Sequence, residues 1–173
     1  MTRFINLLTV IRILLAPIIL LFLIFGEYLL CIFLFLLAGV SDYFDGYLAR
    51  KYNAESELGE ILDPIADKIL VVFLLIGLSV NLYSYLMAVM SSLIISREIG
   101  VAALRDYAAR NDMSHKTKVT FLAKSKTALQ LFTIMLYLIA LSFNLNLLII
   151  IGDISLIAAT LITLYTGYEY TNN

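Results

Sequence analysis

Long apolar segments separated by short polar turns are the main pattern of the chain. Six segments each approach the roughly 20 apolar residues that a helix needs to cross a bilayer, and only two prolines and eight glycines occur in the whole sequence. Their approximate bounds are 7–25, 28–49, 60–80, 82–103, 120–142 and 146–167. The pattern therefore predicts an all-α membrane protein that folds as a bundle of six transmembrane helices.

The composition agrees with this prediction and excludes an ordinary soluble protein. Hydrophobic residues make up 62% of the 173 residues and charged residues only 14%, and the mean hydropathy is +0.96. We expect one domain over residues 1–173, because no linker or repeat divides the sequence. The single cysteine, Cys31, cannot form an internal disulfide and is expected to pack among apolar side chains. A nucleic-acid partner is not expected.

The positions of the charged residues predict how the helices are oriented. The turns near residues 26–27, 81–84 and 143–146 contain no lysine or arginine, and the basic residues lie towards the other ends of the segments. Cytoplasmic loops of membrane proteins are enriched in lysine and arginine. This rule predicts that both termini and the loops at 50–59 and 104–119 are cytoplasmic.

Two pairs of aspartates lie at the predicted cytoplasmic ends of the second and third segments. Asp42 and Asp45 are three residues apart and Asp63 and Asp67 are four apart, and residues at these spacings share one face of a helix. Carboxylates in or near a bilayer are costly and usually functional. Four of them meeting between two helices would repel one another unless a cation lay among them. Because oxygen ligands suit hard divalent ions, the pattern predicts a site for Mg²⁺, Mn²⁺ or Ca²⁺.

Small residues and an arginine extend the acidic face of the second segment. Gly46 and Ala49 each follow an aspartate by four residues, and Arg50 comes next. A face without bulky side chains lets a ligand approach the backbone, and a guanidinium binds phosphate oxygens. With metal-bound carboxylates, this arrangement indicates a pyrophosphate site. The alternative is that the aspartates pair with Arg50, Arg97 or Lys68 and only hold helices together.

These positions belong to a longer motif that resembles a known family. The motif reads Asp42-x2-Asp45-Gly46-x2-Ala49-Arg50-x8-Gly59-x3-Asp63-x3-Asp67. It is similar, at each specified position, to the motif of the CDP-alcohol phosphatidyltransferase family. The resemblance implies a six-helix membrane bundle, usually a homodimer, that transfers a phosphatidyl or similar group from a CDP-linked donor to an alcohol and releases CMP. It also implies a requirement for Mg²⁺ or Mn²⁺, as two ions.

The resemblance further implies a role for each motif residue. The metal ligands would be Asp42, Asp45, Asp63 and Asp67. Asp67 would also act as the general base. The residues lining the pocket for the CDP group would be Gly46, Ala49, Arg50 and Gly59. The active site would face the cytoplasm in a multi-pass protein of the bacterial inner membrane.

Basic residues in the second half of the chain bear on the acceptor alcohol. Arg97 lies inside an apolar segment, where an isolated guanidinium is costly, and Arg105 lies on about the same helix face roughly 12 Å away. Lys124 and Lys126 lie at the start of the next segment. These four residues predict a cytoplasmic pocket for a phosphorylated acceptor, although lysines at this depth can instead contact lipid headgroups.

The stretches around these residues resemble one branch of the family, the bacterial phosphatidylglycerophosphate synthases. The similar stretches are residues 6–12, 62–68, 97–105 and 123–130. The resemblance implies CDP-diacylglycerol as donor and glycerol 3-phosphate as acceptor. The chain departs from that branch at two positions, with Ala123 in place of a glycine and Ile5 in place of a proline. Cardiolipin synthases, or other family members with a different acceptor, are the alternatives.

A divalent-cation transporter is the alternative from another class of protein, because acids within membrane helices also mark ion pathways. Such transporters place their sites near the midplane, on interrupted and often inverted-repeat helices. In this chain the acids lie towards one face of the membrane, and the two halves show no such symmetry.

Four other polar residues are interpreted without a catalytic role. Arg12 is expected to extend back to the cytoplasmic interface, with a contact to the donor's phosphates as its alternative. Asp153 is expected to bond hydroxyls of neighbouring helices or interfacial water. Glu98 is expected to pair locally, and His115 is assigned no function.

Overall fold

The structure, a computed structural model, describes residues 2–52, 57–110 and 121–172. Side chains within these ranges are described except at 2–6, 49–50, 57–58, 60, 109, 121–124 and 170–172. The described chain forms six α-helices and no strand, which confirms the all-α prediction. The helices are α1 (Thr2–Ile24), α2 (Tyr28–Lys51), α3 (Glu57–Asn81), α4 (Tyr85–Arg110), α5 (Phe121–Phe143) and α6 (Asn146–Asn172).

Most of these helices have the properties of membrane spans. Over the described residues, α1, α2, α4, α5 and α6 are long and apolar enough to cross a bilayer. The remaining helix, α3, lies at the centre of the bundle and contacts α1, α4 and α5. Its first half carries the second aspartate pair and Lys68. The protein is therefore a multi-pass membrane protein.

Tight turns join α1 to α2, α3 to α4 and α5 to α6. Each turn contains a residue in the left-handed region, Gly26 (φ +79°), Tyr83 (φ +50°) or Asn144 (φ +52°), and this conformation reverses the chain within a few residues. Short connections make successive helices antiparallel neighbours. The start of α1, the end of α2, the start of α3, the end of α4, the start of α5 and the end of α6 consequently share one end of the bundle, which we call the site end.

The fourth helix differs in its bounds from the prediction of 82–103. It begins at Tyr85, because the hydroxyl of Ser84 accepts a hydrogen bond from the backbone N–H of Met87 at 3.2 Å and so caps the helix. It continues to Arg110, beyond the last strongly apolar residues. Because of these extra turns, Arg105 lies within α4, at the site end of the bundle.

Polar contacts fix the first three helices at the end opposite the site. The side-chain amide of Asn81 donates to the carbonyl of Leu23 at 3.0 Å, and the hydroxyl of Tyr28 donates to Asn81 Oδ1 at 3.1 Å. Nearby, α1 and α3 approach closely, since a Cβ on Gly77 would lie 2.5 Å from Leu20 Cδ1. These contacts set the relative positions of the helices that carry the aspartates.

Hydrogen bonds between side chains join α5 to α6 along their length. The pairs are Gln130 with Thr163 at 3.0 Å, Thr133 with Ser155 at 2.6 Å, and Tyr137 with Asp153 at 2.6 Å. Such pairs contribute on the order of 1 kcal/mol each between membrane helices. The hydroxyl of Tyr137 donates to Asp153, which confirms the prediction that a neighbouring helix satisfies this carboxylate.

Candidate active site

The side chain of Arg12 joins the two aspartate pairs at the site end. Its Nη1 lies 2.6 Å from Asp42 Oδ1 and 3.0 Å from Asp67 Oδ1, and its Nη2 contacts Asp45 Oδ2. The side chain is only 1% exposed. Three helices, α1, α2 and α3, thus contribute to one cluster of charges, and the two predicted aspartate pairs do converge.

The fourth aspartate is bound to α1 by a neutral group. Asp63 Oδ1 accepts a hydrogen bond from Thr9 Oγ1 at 2.9 Å. Thr9 precedes Arg12 by three residues, so the two side chains lie on the same face of α1. All four aspartates therefore meet this face of α1.

The aspartates differ in how far they are open to a ligand. The side chain of Asp45 is 3% exposed, whereas those of Asp42 and Asp67 are 49% and 48% exposed. Asp45 forms the floor of the cluster, and the other two carboxylates can contact a molecule that approaches from outside the bundle.

The prediction that Arg12 extends to the membrane interface is wrong. The guanidinium is buried, and a buried charge is tolerated when several opposite charges and hydrogen bonds compensate its desolvation. The sequence carried a signal for a buried ion pair at Arg12. Like Arg97, Arg12 is an arginine inside an apolar helix, where an unpaired guanidinium is costly. Its acidic partners lie 33 and 55 residues along the chain, at Asp45 and Asp67, so the pairing depends on the fold.

A second charged cluster lies between α4, α5 and α6. The carboxylate of Glu98 accepts from Arg97 Nη1 at 3.2 Å and from Lys126 Nζ. Arg97 Nη2 donates to Thr166 Oγ1 at 2.8 Å, and the two basic side chains are 9% and 8% exposed. Glu98 does pair with its neighbour Arg97, as predicted, but it also reaches Lys126 on another helix.

A cavity of about 190 Å³ connects the two clusters. Asp67 and Lys68 line it on α3, Arg97 and Arg105 on α4, and Lys126 on α5. The cavity brings a half-exposed carboxylate and three predicted acceptor-binding side chains around one space. It can hold a small anion that carries a hydroxyl group.

A larger cavity, of about 550 Å³, also reaches the aspartates. Its wall is mainly apolar and includes Phe35, Leu36, Val40 and Leu131, with Arg12, Asp42 and Asp67 also among the lining residues. Its volume and lining suit an apolar chain attached to a polar group at the aspartates. Asp67 lines both cavities and so lies where they meet.

The structure places the other predicted site residues in the helices of the site end. Gly46 follows Asp45 in α2 and is partly buried, and Gly59 is buried near the start of α3. Ala49 and Arg50 lie in α2 and Lys124 in α5, but their side chains lie outside the described residues, as does His115. The predicted contacts of Ala49, Arg50 and Lys124 stay predictions.

The fold and the site together define a multi-pass helical membrane protein with a carboxylate cluster between two cavities. The sequence profile of the CDP-alcohol phosphatidyltransferase family matches residues 4–165. Because that match covers nearly the whole chain, the chain belongs to this family.

Curated relatives support the same family. The chain is 43% identical over 143 residues to the CDP-diacylglycerol–glycerol-3-phosphate 3-phosphatidyltransferase of Blochmanniella floridana, covering 82% of this chain and 73% of that protein. A protein of the same name from Rickettsia bellii (strain RML369-C) is 42% identical over 138 residues, or 79% of this chain and 74% of its own. The one from Rickettsia typhi (strain ATCC VR-144 / Wilmington) is 38% identical over 169 residues, or 95% and 93%.

Members of the family generally depend on a divalent metal, and the carboxylate cluster fits such an ion by its chemistry. Its four carboxylates lie on facing helices and are the oxygen donors that hard cations prefer. A cation, the guanidinium of Arg12, already lies among three of them. In this arrangement no group of three acidic, histidine or cysteine side chains in the described part of the chain is spaced to hold a metal ion. The chemistry of the carboxylates fits a divalent ion, but in this arrangement three of them are directed at Arg12 and not at one shared point.

Proposed function

We propose that the protein transfers the phosphatidyl group of CDP-diacylglycerol to glycerol 3-phosphate, giving phosphatidylglycerophosphate and CMP in phospholipid biosynthesis. The observation that carries this proposal is the position of Asp67 between an apolar cavity and a small basic one. A lipid donor and a phosphorylated acceptor can each approach the same carboxylate from one side. The names of the similar proteins favour the same donor and acceptor.

The donor occupies the apolar cavity and the aspartate cluster. The wall formed by Phe35, Leu36 and Leu131 holds the diacylglycerol part, and burial of this apolar surface favours binding. The CDP group extends towards the end of α2 and the start of α3, where Gly46, Ala49, Arg50 and Gly59 line its pocket. Asp42, Asp45, Asp63 and Asp67 would hold Mg²⁺ or Mn²⁺, as two ions, and the metal would neutralise charge on the pyrophosphate.

The acceptor occupies the basic cavity. Arg97, Arg105 and Lys126, together with Lys124 as the sequence predicts, bind its phosphate through charge-assisted hydrogen bonds. This orientation directs the 1-hydroxyl of glycerol 3-phosphate towards Asp67 at the junction of the cavities. Binding in this orientation accounts for much of the rate enhancement in such reactions, because it makes the attack effectively unimolecular.

The reaction is a single displacement at phosphorus. The acceptor hydroxyl oxygen forms a bond to the β-phosphorus, which carries the diacylglycerol, and its proton passes to the carboxylate of Asp67. The bond from that phosphorus to the bridging oxygen breaks, and CMP leaves with that oxygen. The positive charges of Arg97, Arg105 and Lys126 keep the acceptor in place during the attack.

The charge pattern supports the orientation that we propose, and the bacterial relatives support the proposed membrane. All six helices cross the bacterial inner membrane, both termini are cytoplasmic, and the site end faces the cytoplasm, where CMP and glycerol 3-phosphate are soluble. The functional form is a homodimer of single-domain subunits.

The test of the proposed function is CMP release by the purified protein with CDP-diacylglycerol and Mg²⁺ or Mn²⁺. Glycerol 3-phosphate, phosphatidylglycerol, serine and inositol phosphate are offered separately as acceptors. We expect rapid CMP release with glycerol 3-phosphate only. Release with phosphatidylglycerol instead would identify a cardiolipin synthase, and no release with any acceptor would favour a cation transporter.

Substituting Arg105 by alanine tests the acceptor cavity separately. A charged hydrogen bond to a phosphate contributes enough that its loss raises the KM for glycerol 3-phosphate by about tenfold, while the KM for CDP-diacylglycerol stays near the wild-type value. Arg110→Ala is the matched control, because Arg110 is 76% exposed and pairs with Asp106 on its own helix. Equal increases in both KM values for Arg105→Ala would contradict this placement of the acceptor.

A further inference from the structure

Arg12 occupies the place among the carboxylates that the proposed function assigns to a metal ion. We propose that Arg12 is an exchangeable internal counter-ion. Its guanidinium holds Asp42, Asp45 and Asp67 together in the metal-free protein. These ion pairs break when the carboxylates bind a divalent ion instead. The inference depends on the proposed function, because it requires that these carboxylates bind metal.

The metal-free cluster needs a positive charge to be stable. The side chain of Asp45 is 3% exposed and that of Arg12 is 1% exposed, and removing one partner of a buried ion pair is strongly destabilising. Asp63, by contrast, is bonded to the neutral hydroxyl of Thr9. Arg12 is therefore the group that compensates the other three carboxylates in the described part of the site.

The same contacts cannot persist unchanged when the carboxylates bind a metal. Asp42, Asp45 and Asp67 each direct one oxygen at the guanidinium, and an ion bound between the two aspartate pairs needs oxygens that face the same point. Two cations a few ångströms apart in a poorly solvated site repel strongly. The guanidinium and the metal therefore compete for the carboxylates.

The surroundings of Arg12 allow its guanidinium to leave. Within the described residues its buried Nε has no hydrogen-bond partner, so only the two terminal nitrogens hold it to the aspartates. Arg12 also lines the cavity of about 550 Å³ beside Asp42 and Asp67. The side chain can rotate towards this cavity, whose polar part at Asp42 and Asp67 lies beside the place that the proposed function gives to the donor's pyrophosphate.

The experiment measures Mn²⁺ binding and thermal unfolding of Arg12→Gln in detergent, without substrates. Free Mn²⁺ is followed by electron paramagnetic resonance, and unfolding is followed with EDTA and with saturating Mn²⁺. We expect Arg12→Gln to bind Mn²⁺ at least about tenfold more tightly than the wild type, because a competing charge is removed. We also expect a lower Tm than the wild type in EDTA and a much smaller difference with Mn²⁺.

Two further variants make the outcome decisive. Arg110→Gln removes an exposed positive charge at the same end of the bundle and should bind Mn²⁺ like the wild type. An Arg12→Gln protein that folds only with Mn²⁺ and unfolds when Mn²⁺ is chelated would also support the inference, provided that the wild type stays folded under the same chelation. Arg12→Lys keeps the charge without the planar fork and should show an affinity between those of the wild type and Arg12→Gln.

Equal or weaker Mn²⁺ binding by Arg12→Gln would overturn the exchange, because it would mean that Arg12 remains a fixed part of the site. Such a result would not contradict the proposed function, which is tested separately by CMP release from the wild-type protein. If neither the wild type nor Arg12→Gln binds Mn²⁺, the metal site of the proposed function fails as well. The two failures are therefore distinguishable.

Discussion

Substituting Asp67 by asparagine should lower the rate of CMP release from CDP-diacylglycerol by about 10³-fold or more. The carboxylate lies at the junction of the two cavities, where it can take the proton of the acceptor and contribute an oxygen to the metal site. Asparagine has nearly the same shape but neither accepts that proton nor carries the negative charge. Initial rates with saturating glycerol 3-phosphate measure the effect.

The matched control for this substitution is Asp153→Asn. Asp153 is a carboxylate of the bundle that lines neither cavity, and its partner is the hydroxyl of Tyr137 at 2.6 Å. Asparagine can still accept that hydrogen bond, so this variant should keep most of the activity. A similar loss in both variants would assign the effect to folding, and an Asp67→Asn variant with near wild-type rates would exclude Asp67 as the base.

The helices could be predicted from the sequence because the membrane imposes a length and an apolar composition on each of them. The bounds were less accurate where the ends depend on polar detail. The start of α4 is set by the cap at Ser84 and by the positive φ of Tyr83, and hydropathy carries no signal for either. The aspartate face was predictable because Asp42 and Asp45, like the second pair, are near neighbours on one helix.

The partners of the charged residues were not predictable, because they lie on other helices. Arg12 meets carboxylates of α2 and α3, and Glu98 bonds Lys126, 28 residues further along the chain. Helix periodicity reports which residues share a face but not which helix that face meets. The position of Arg12 inside an apolar helix could have indicated acidic partners, because an unpaired guanidinium there is costly, and the four aspartates of the motif were candidates.

The arrangement of five helices around two cavities suggests how the site keeps two substrates apart. The helices α2 and α3 carry the carboxylates that Arg12 of α1 contacts, and α4 and α5 carry Arg97, Arg105 and Lys126 of the smaller cavity. Asp67, Val71 and Thr127 line both cavities and form the partition between them. Substitutions in the basic cluster should therefore affect the acceptor and leave donor binding almost unchanged.

Replacing Gly167 by leucine should raise the KM for glycerol 3-phosphate by about 100-fold, because it displaces a group that positions the acceptor. A Cβ at this position of α6 would lie 2.9 Å from Arg97 Cγ and 3.0 Å from Arg97 Nε. Side chains do not approach so closely, so Arg97 must move. Its guanidinium would then lose the geometry set by Glu98 and Thr166, at 3.2 Å and 2.8 Å.

The control is Gly100→Leu, which adds the same side chain to α4. A Cβ on Gly100 would meet nothing within 4 Å, so this variant should keep both KM values while exposing another apolar group at the bundle surface. The measurement is the KM of each substrate, with thermal unfolding to verify that Gly167→Leu is folded. A Gly167→Leu protein that is folded and keeps the wild-type KM for glycerol 3-phosphate would show that Arg97 does not bind the acceptor. If only the KM for glycerol 3-phosphate rises, the effect must come from the displacement of Arg97. Gly167 contacts Arg97 but is not among the residues that line the acceptor cavity, so the new leucine would not touch the acceptor directly.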